Sequence, residues 1–225
     1  MSVNIIKGNI FTSQCKTIVN TVNCVGVMGA GIALECRLRY PEMYERYSSI
    51  CSNGELSVGM LWLYKSNDKW ILNFPTKKDW RYPSKIEYLH LGLQKFVDTY
   101  QLKNITSIAF PMLGADKGGI PKEESLQIML SYLNNLPISV EIYEFDSKSK
   151  DDLYENFFNW FIDRDILEIK TISKLKDNEI IKIRNAMQLS EIMQLNQLSR
   201  IKGIGIKTLE KLFQVAQKIG GSGKI

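Results

Sequence analysis

The stretch Asn23-Cys24-Val25-Gly26-Val27-Met28-Gly29-Ala30-Gly31-Ile32-Ala33-Leu34-Glu35 decides the fold of this chain. It follows an apolar run at 17–22 that reads as a buried strand, and it leads into 32–40, which reads as a helix ending before Pro41. A strand, a glycine loop and a helix start leave backbone amides uncovered beside the positive helix pole, which makes a seat for a diphosphate. The plain alternative is an ordinary tight strand-to-helix turn. The spacing is GxxGxG, so it is neither the GxGxxG dinucleotide fingerprint nor a Walker loop, which needs Gly-Lys-Ser/Thr.

The same grammar returns in mid-chain. Ile105-Thr106-Ser107-Ile108-Ala109-Phe110 reads as a strand, Gly114-Ala115-Asp116-Lys117-Gly118-Gly119-Ile120 as a glycine loop, and 122–133 as a helix with Pro121 suited to its first turn. Two such loops on neighbouring strands could hold a diphosphate from both sides. Packing alone accounts for one glycine turn more easily than for two.

Composition narrows the chemistry. A length of 225 residues suits one domain of about 150 residues plus an appendage. A hydrophobic content of 44% supports a real core. There is no leader-like segment at the start and no long apolar span, so a cytoplasmic protein away from membranes is expected. Cys15, Cys24, Cys36 and Cys51 form no CxxC pair, which argues against disulfides and structural zinc. His90 is the only histidine, and it falls in an amphipathic segment where a structural or a solvated position is expected. Histidine triads and multi-histidine metal sites are excluded by count. Chemistry falls to Lys, Asp, Glu or bound water, with no metal or cofactor expected.

The first 146 residues alternate strands (3–6, 17–22, 61–64, 70–74, 105–110, 139–145) with helices (31–40, 41–49, 84–100, 122–133). That pattern predicts a three-layer α/β/α sandwich with a mixed sheet. From 147 to 225 the chain reads as a small all-helical domain. It opens on a polar hinge at 147–152 and an aromatic cluster (Tyr154, Phe157, Phe158, Trp160) expected to form the docking seam of the two parts. The tail carries 14 Lys/Arg against 10 Asp/Glu, whereas the first 146 residues carry 15 against 14, so the excess charge lies in the tail. The last stretch, 220–225, reads as flexible.

Within the tail, at about 189–218, Leu198-Ser199-Arg200-Ile201-Lys202-Gly203-Ile204-Gly205-Ile206-Lys207-Thr208 resembles a helix-hairpin-helix element. The hairpin glycines would let backbone amides approach a DNA phosphate without reading bases. Arg200, Lys202, Lys207 and Lys211 would surround that phosphate and make binding salt-sensitive. The alternative is a helical hairpin used for packing or dimerisation.

With both loops in view, residues 1–146 resemble a macrodomain, the fold that binds ADP-ribose. Lys7-Gly8-Asn9-Ile10-Phe11 is similar to the family's opening Lys-Gly-Asp-Leu-Phe, and the glycine loops to its two phosphate loops. Met28-Gly29-Ala30-Gly31-Ile32-Ala33, with the later Ile71-Leu72-Asn73-Phe74-Pro75-Thr76-Lys77-Lys78-Asp79-Trp80-Arg81, is similar to the branch that holds DarG antitoxins and terminal ADP-ribose glycohydrolases. The resemblance implies removal of ADP-ribose from modified macromolecules, and for the DarG branch from thymine bases in DNA modified by a DarT toxin. It implies that Asn9, through its side-chain oxygen, and Ile10 meet the adenine, with Tyr143 or Phe145 near the ring. Gly26 to Ile32 and Gly114 to Ile120 would wrap the diphosphate, and Asn23 would lie near the distal ribose. Lys77 would be the catalytic lysine, with Lys78 the competing assignment.

A lysine can serve there if burial and neighbouring cations (Lys78, Arg81) lower its pKa. The neutral amine could attack the anomeric carbon of the distal ribose, or it could activate water or orient the ribose hydroxyls. Three departures from the family stand out. Asn9 replaces an Asp, and an amide is the poorer acceptor. Asp116 stands where Gly is common, so it either repels the diphosphate or faces the distal ribose. Gly118 stands where the terminal glycohydrolases have a catalytic Asp. The tail is smaller than the toxin-neutralising region of DarG, so the family implies a hydrolase more directly than an antitoxin. An enzyme acting on ADP-ribosylated protein and a non-catalytic ADP-ribose reader are the competing functions.

Overall fold

The computed structural model describes residues 3–222, and the chain divides between Phe145 and Asp146 into two compact units. The first contains β1 (Asn4–Gly8), β2 (Thr17–Val22), α1 (Gly31–Arg39), α2 (Pro41–Ser52), β3 (Trp62–Lys65), β4 (Trp70–Pro75), α3 (Ile86–Thr99), β5 (Ser107–Pro111), α4 (Lys122–Leu133) and β6 (Ser139–Phe145). The strands form one mixed sheet in the order β1-β6-β5-β2-β4-β3. Every neighbouring pair is parallel except β3 with β4.

Side-chain alternation splits β2 between two cores. Ile18 and Val22 join Cys36, Met43 and Tyr47 from α1 and α2 on one face. Val19 joins Leu89, Phe96 and Met129 from α3 and α4 on the other, which makes the three layers. Both sides of β2 are covered, hence its near-continuous apolar sequence. Asn20 and Asn73 are register partners in β2 and β4, and the Asn20 amide donates to the Asn73 oxygen at 2.9 Å, a buried polar pair that fixes this alignment. Helix α3 approaches β4 closely at Gly92, where an added Cβ would stand 2.2 Å from the Phe74 ring. The break between α1 and α2 falls at Tyr40, because Pro41 pushes the residue before it out of helical geometry. Pro121 precedes α4 as its N-cap and so stands just outside the first turn.

The second unit contains α5 (Tyr154–Ile162), α6 (Ile166–Ser173), α7 (Asp177–Met187), a 3-10 helix at Leu195–Arg200 and α8 (Ile206–Ser222). Phe157 and Phe161 of α5 are fully buried in it, and α5 packs on α7 and α8. The segment expected to act as a polar hinge is pinned within this unit. Gln194 Nε2 donates to the carbonyls of Asp146 and Ser149, Gln197 Nε2 donates to the carbonyl of Ser147, and the Asp151 carboxylate receives the amides of Leu153 and Leu195. The flexible end expected at 220–225 is corrected in part. Helix α8 continues through Ser222, carried by Leu212, Phe213 and Ala216 packed beneath it, and 223–225 lie outside the described residues.

Candidate active site

Five parallel strands end at one edge of the sheet, the edge where α/β folds receive ligands. The first glycine loop follows β2 and the second follows β5, its immediate neighbour. β4, on the other side of β2, delivers Thr76, Lys77 and Lys78 to the same edge.

Asn23 builds the first loop. Its Oδ1 accepts the amides of Val25 (3.0 Å) and Val27 (3.3 Å), and its Nδ2 donates to the Val27 carbonyl at 2.6 Å. The buried Tyr47 hydroxyl donates to the Asn23 carbonyl at 2.7 Å, and burial pushes its pKa above the tyrosine range, so it remains a donor. Asn23, expected near the distal ribose, has its polar side-chain atoms engaged in shaping the loop. Met28, expected among the residues that wrap the diphosphate, is fully buried and anchors the loop from below, so it offers a ligand no surface. The exposed crest is Gly29, Ala30 and Gly31, with Val27 exposed and Ile32 partly so. Gly26 and Gly31 have positive φ (79° and 57°). Helix α1 starts at Gly31 behind Ala30, which supplies no side-chain cap, and its first turn holds no acid. Its pole is open to an anion. The first turn of α4 carries Glu123 and Glu124, so of the two loop-borne helices α1 is the one suited to a phosphate.

The second loop closes on itself. The Ile120 amide donates to the Gly114 carbonyl at 3.0 Å and the Gly118 amide to the Ala115 carbonyl at 2.6 Å. A Cβ on Gly114 would lie 2.7 Å from Ile120 Cδ1, and one on Gly118 would lie 2.7 Å from Ser84 Oγ. Gly119 (φ 82°) and Asp116 (φ 41°) are both left-handed. Asp116 and Lys117 are exposed, and the Asp116 carboxylate lies within electrostatic reach of the Lys122 ammonium.

Lys77 connects the two loops. The Thr76 amide donates to the Val22 carbonyl and the Cys24 amide to the Lys78 carbonyl, which extends the β2–β4 ladder into the first loop. Across the gap, Lys77 Nζ donates to the Lys117 carbonyl of the second loop at 2.6 Å. Burial lowers its pKa. The expected help from cationic neighbours is not the cause: Arg81 is paired with Asp79 at 2.5 Å, and desolvation alone carries the shift. Lys78 is exposed and lies 6.0 Å from the Tyr88 ring.

At the far end of the edge, Asn9 caps the 3-10 turn Ile10–Thr12. Its Oδ1 accepts the Phe11 amide at 3.0 Å, so the oxygen assigned to adenine is already engaged, while its buried Nδ2 has no partner among the described residues. Tyr143 and Phe145 share one face of β6. Tyr143 is 6% exposed and belongs to the α1/α2-side core, whereas Phe145 is 48% exposed at the strand end. The β1–β6 register pairs Gly8 with Phe145, which puts Asn9 and Ile10 just past that ring. Sequence reading missed Ser84, whose amide donates to the Gly118 carbonyl at 2.9 Å, and Tyr47, because neither sits in a glycine or lysine motif. Of the two positions expected of His90 the structural one holds, with Nδ1 3.0 Å from the Tyr132 hydroxyl.

In the tail, Arg200, Lys202, Gly203, Gly205 and Lys207 are exposed around the hairpin, and Gly203 has φ 85°. The helix expected before the hairpin is the short 3-10 helix Leu195–Arg200, and the helix after it, α8, begins at Ile206. The Thr208 hydroxyl donates to Glu179, and Lys211 Nζ donates to the Lys174 carbonyl. Among the described residues no helix is long and apolar enough to cross a membrane.

The Macro domain family model matches residues 19–129. A Mycobacterium tuberculosis protein named DNA ADP-ribosyl glycohydrolase is 42% identical over 134 residues, covering 58% of this chain and 38% of that protein. The solved macrodomain of M. tuberculosis DarG is 40% identical with TM-score 0.61, covering 63% of this chain and 96% of that one. Thermosipho africanus DarTG, solved in complex with ADP-ribose, is 33% identical with TM-score 0.59, covering 64% of this chain and 42% of that one. The chain thus spans about two-fifths of the length of the curated relatives it matches. By sequence and by fold, the chain belongs to the macrodomain family.

Proposed function

We propose that this chain is an ADP-ribosyl glycohydrolase that releases ADP-ribose from modified nucleobases in DNA. The observation that carries the proposal is Lys77, whose main chain is bonded to the first glycine loop and whose desolvated amine reaches the second. The diphosphate lies at the uncapped start of α1, between Gly29–Gly31 and Gly118–Gly119. The adenine lies against Phe145 and the Ile10 main chain, with Asn9 holding that turn. The distal ribose then falls beside Lys77.

The neutral amine attacks the anomeric carbon of that ribose. The bond from carbon to base breaks as the bond from carbon to lysine forms, and the base departs with a proton. Water then releases ADP-ribose and restores the amine. Activation of water by the same amine gives the same products. Because the neutral form acts, turnover rises with pH and levels off above the lowered lysine pKa.

The relatives named DNA ADP-ribosyl glycohydrolase support DNA as the carrier, and the Thermosipho DarTG structure supports a DarT-type transferase as the source of the modification and as a partner. The tail contributes non-specific contact with the DNA backbone through Lys202, Lys207 and the hairpin amides. Thymine-linked, guanine-linked and glutamate-linked ADP-ribose, offered in parallel, test the substrate class. Release from a nucleobase is expected to exceed release from glutamate, and the reverse order would make the chain a protein de-modifier. On long ADP-ribosylated DNA at low salt, Lys202→Glu with Lys207→Glu should cut the rate several-fold and leave a modified mononucleoside unaffected. Equal rates on long DNA would make the tail a packing or partner-binding element.

A further inference from the structure

The segment that carries Lys77 continues into a feature the reaction does not use. Trp80 and Tyr82 are 55% and 64% exposed, and neither ring stacks on another ring or a cation among the described residues. They are not on a floppy loop. The Asp79 carboxylate accepts the Arg81 amide at 2.9 Å and the Arg81 guanidinium, and the Tyr82 amide donates to the Asp79 carbonyl. The segment is fastened at both ends, by the Cys24 amide on the Lys78 carbonyl and by the Ser84 amide on the Gly118 carbonyl. Two large rings are therefore presented on a rigid turn three and five residues beyond Lys77.

The segment itself is basic. Between 77 and 85 it carries Lys77, Lys78, Arg81 and Lys85 against one acid, Asp79, which Arg81 pairs. Lys78 and Lys85 converge on one ring, with Nζ atoms 6.0 and 5.8 Å from the Tyr88 centroid. Both ammonium groups thus flank the turn beside the same side chain, each long enough in reach to meet a phosphate of a strand laid over the rings. Flat exposed rings interleaved with cations recognise unpaired bases on a phosphate backbone. Paired bases inside a duplex offer no free face to a side chain.

We propose that the turn at 78–82 is a platform for single-stranded DNA flanking the modified nucleotide. Trp80 and Tyr82 stack on neighbouring bases while Lys78 and Lys85 hold the adjacent phosphate. The platform rests on the glycohydrolase function proposed above and adds to it the side chains that hold the strand beside the modified base.

The test compares two substrates that carry the same ADP-ribosylated base, a mononucleoside and a short single-stranded oligonucleotide. In the Trp80→Ala, Tyr82→Ala protein, KM for the oligonucleotide should rise about tenfold or more, with kcat/KM for the mononucleoside unchanged. The Trp80→Phe, Tyr82→Phe protein should recover most of the difference. Equal KM in wild type and the alanine variant, or equal losses on both substrates, would overturn the platform, the second outcome making the rings a support for the catalytic segment. If wild type releases ADP-ribose from neither substrate, the glycohydrolase function fails. The platform is then tested alone, by fluorescence anisotropy with a labelled unmodified single strand. Binding that weakens in the alanine variant and persists at raised salt supports it, while equal binding of single strand and duplex overturns it.

Discussion

Lys77→Ala should lose about 10²–10⁴-fold in release of ADP-ribose from modified DNA, the span typical of removing a positioned proton-transfer group. Its affinity for free ADP-ribose should shift only a few-fold, because the diphosphate seat at Gly29–Gly31 and the Phe145 ring remain in place. The amine also donates to the Lys117 carbonyl, so a loosened second loop is a competing cause of any loss. Lys77→Arg separates the two. A guanidinium can still donate to that carbonyl, but it never becomes neutral near physiological pH. Both variants should therefore be nearly inactive while calorimetry detects ADP-ribose binding. An active arginine variant would remove the neutral amine from the mechanism, and Lys78→Ala should lose far less than either.

Gly118→Val should abolish measurable ADP-ribose binding by displacing the second loop. Its Cβ would meet Ser84 Oγ at 2.7 Å and Ser84 Cβ at 3.2 Å, where backbone and side chain already pack. Relief of that clash breaks the bond from the Ser84 amide to the Gly118 carbonyl and moves Lys117, the acceptor of the Lys77 amine. Overpacking of this kind costs about 1–3 kcal/mol of stability, which thermal melting would register. Gly29→Val is the cleaner companion, because the nearest atom to its Cβ, on Val27, is 3.8 Å away. It should fold normally and still lose about tenfold or more in affinity, a side chain now covering the open amides of α1. Unchanged affinity in both variants would mean that the diphosphate does not sit between these loops.

Much of this fold was legible because local signals agreed. Strands β2 and β6 and helix α4 have the bounds their sequences suggest, and the glycine loops fall between them. Sequence could not show that β2 and β5 are neighbours, since strand order is set by long-range pairing, and that adjacency brings the two glycine turns side by side at one sheet edge. Nor could it separate Tyr143 from Phe145. Alternation puts both on one face, and only the reach of the core decides which ring is covered. Asn9 was read as a free acceptor, but a residue before a tight turn often spends its oxygen on the amide two residues on, as here with Phe11. Lys77 was found by resemblance, since a lysine after a strand carries no mark of its own. Its desolvation depends on the second loop, which lies 40 residues away in the chain. In the tail, 220–225 read as flexible, yet helix α8 runs on through Ser222.

The most direct measurement is the mass of both products after the protein meets a single-stranded oligonucleotide carrying one ADP-ribosylated thymine. Wild type should return the unmodified oligonucleotide and intact ADP-ribose, and Lys77→Ala should leave the substrate whole. Release of AMP with a ribose phosphate still attached to the base, or full conversion by the Lys77→Ala protein, would contradict a lysine-dependent cleavage of the bond between ribose and base.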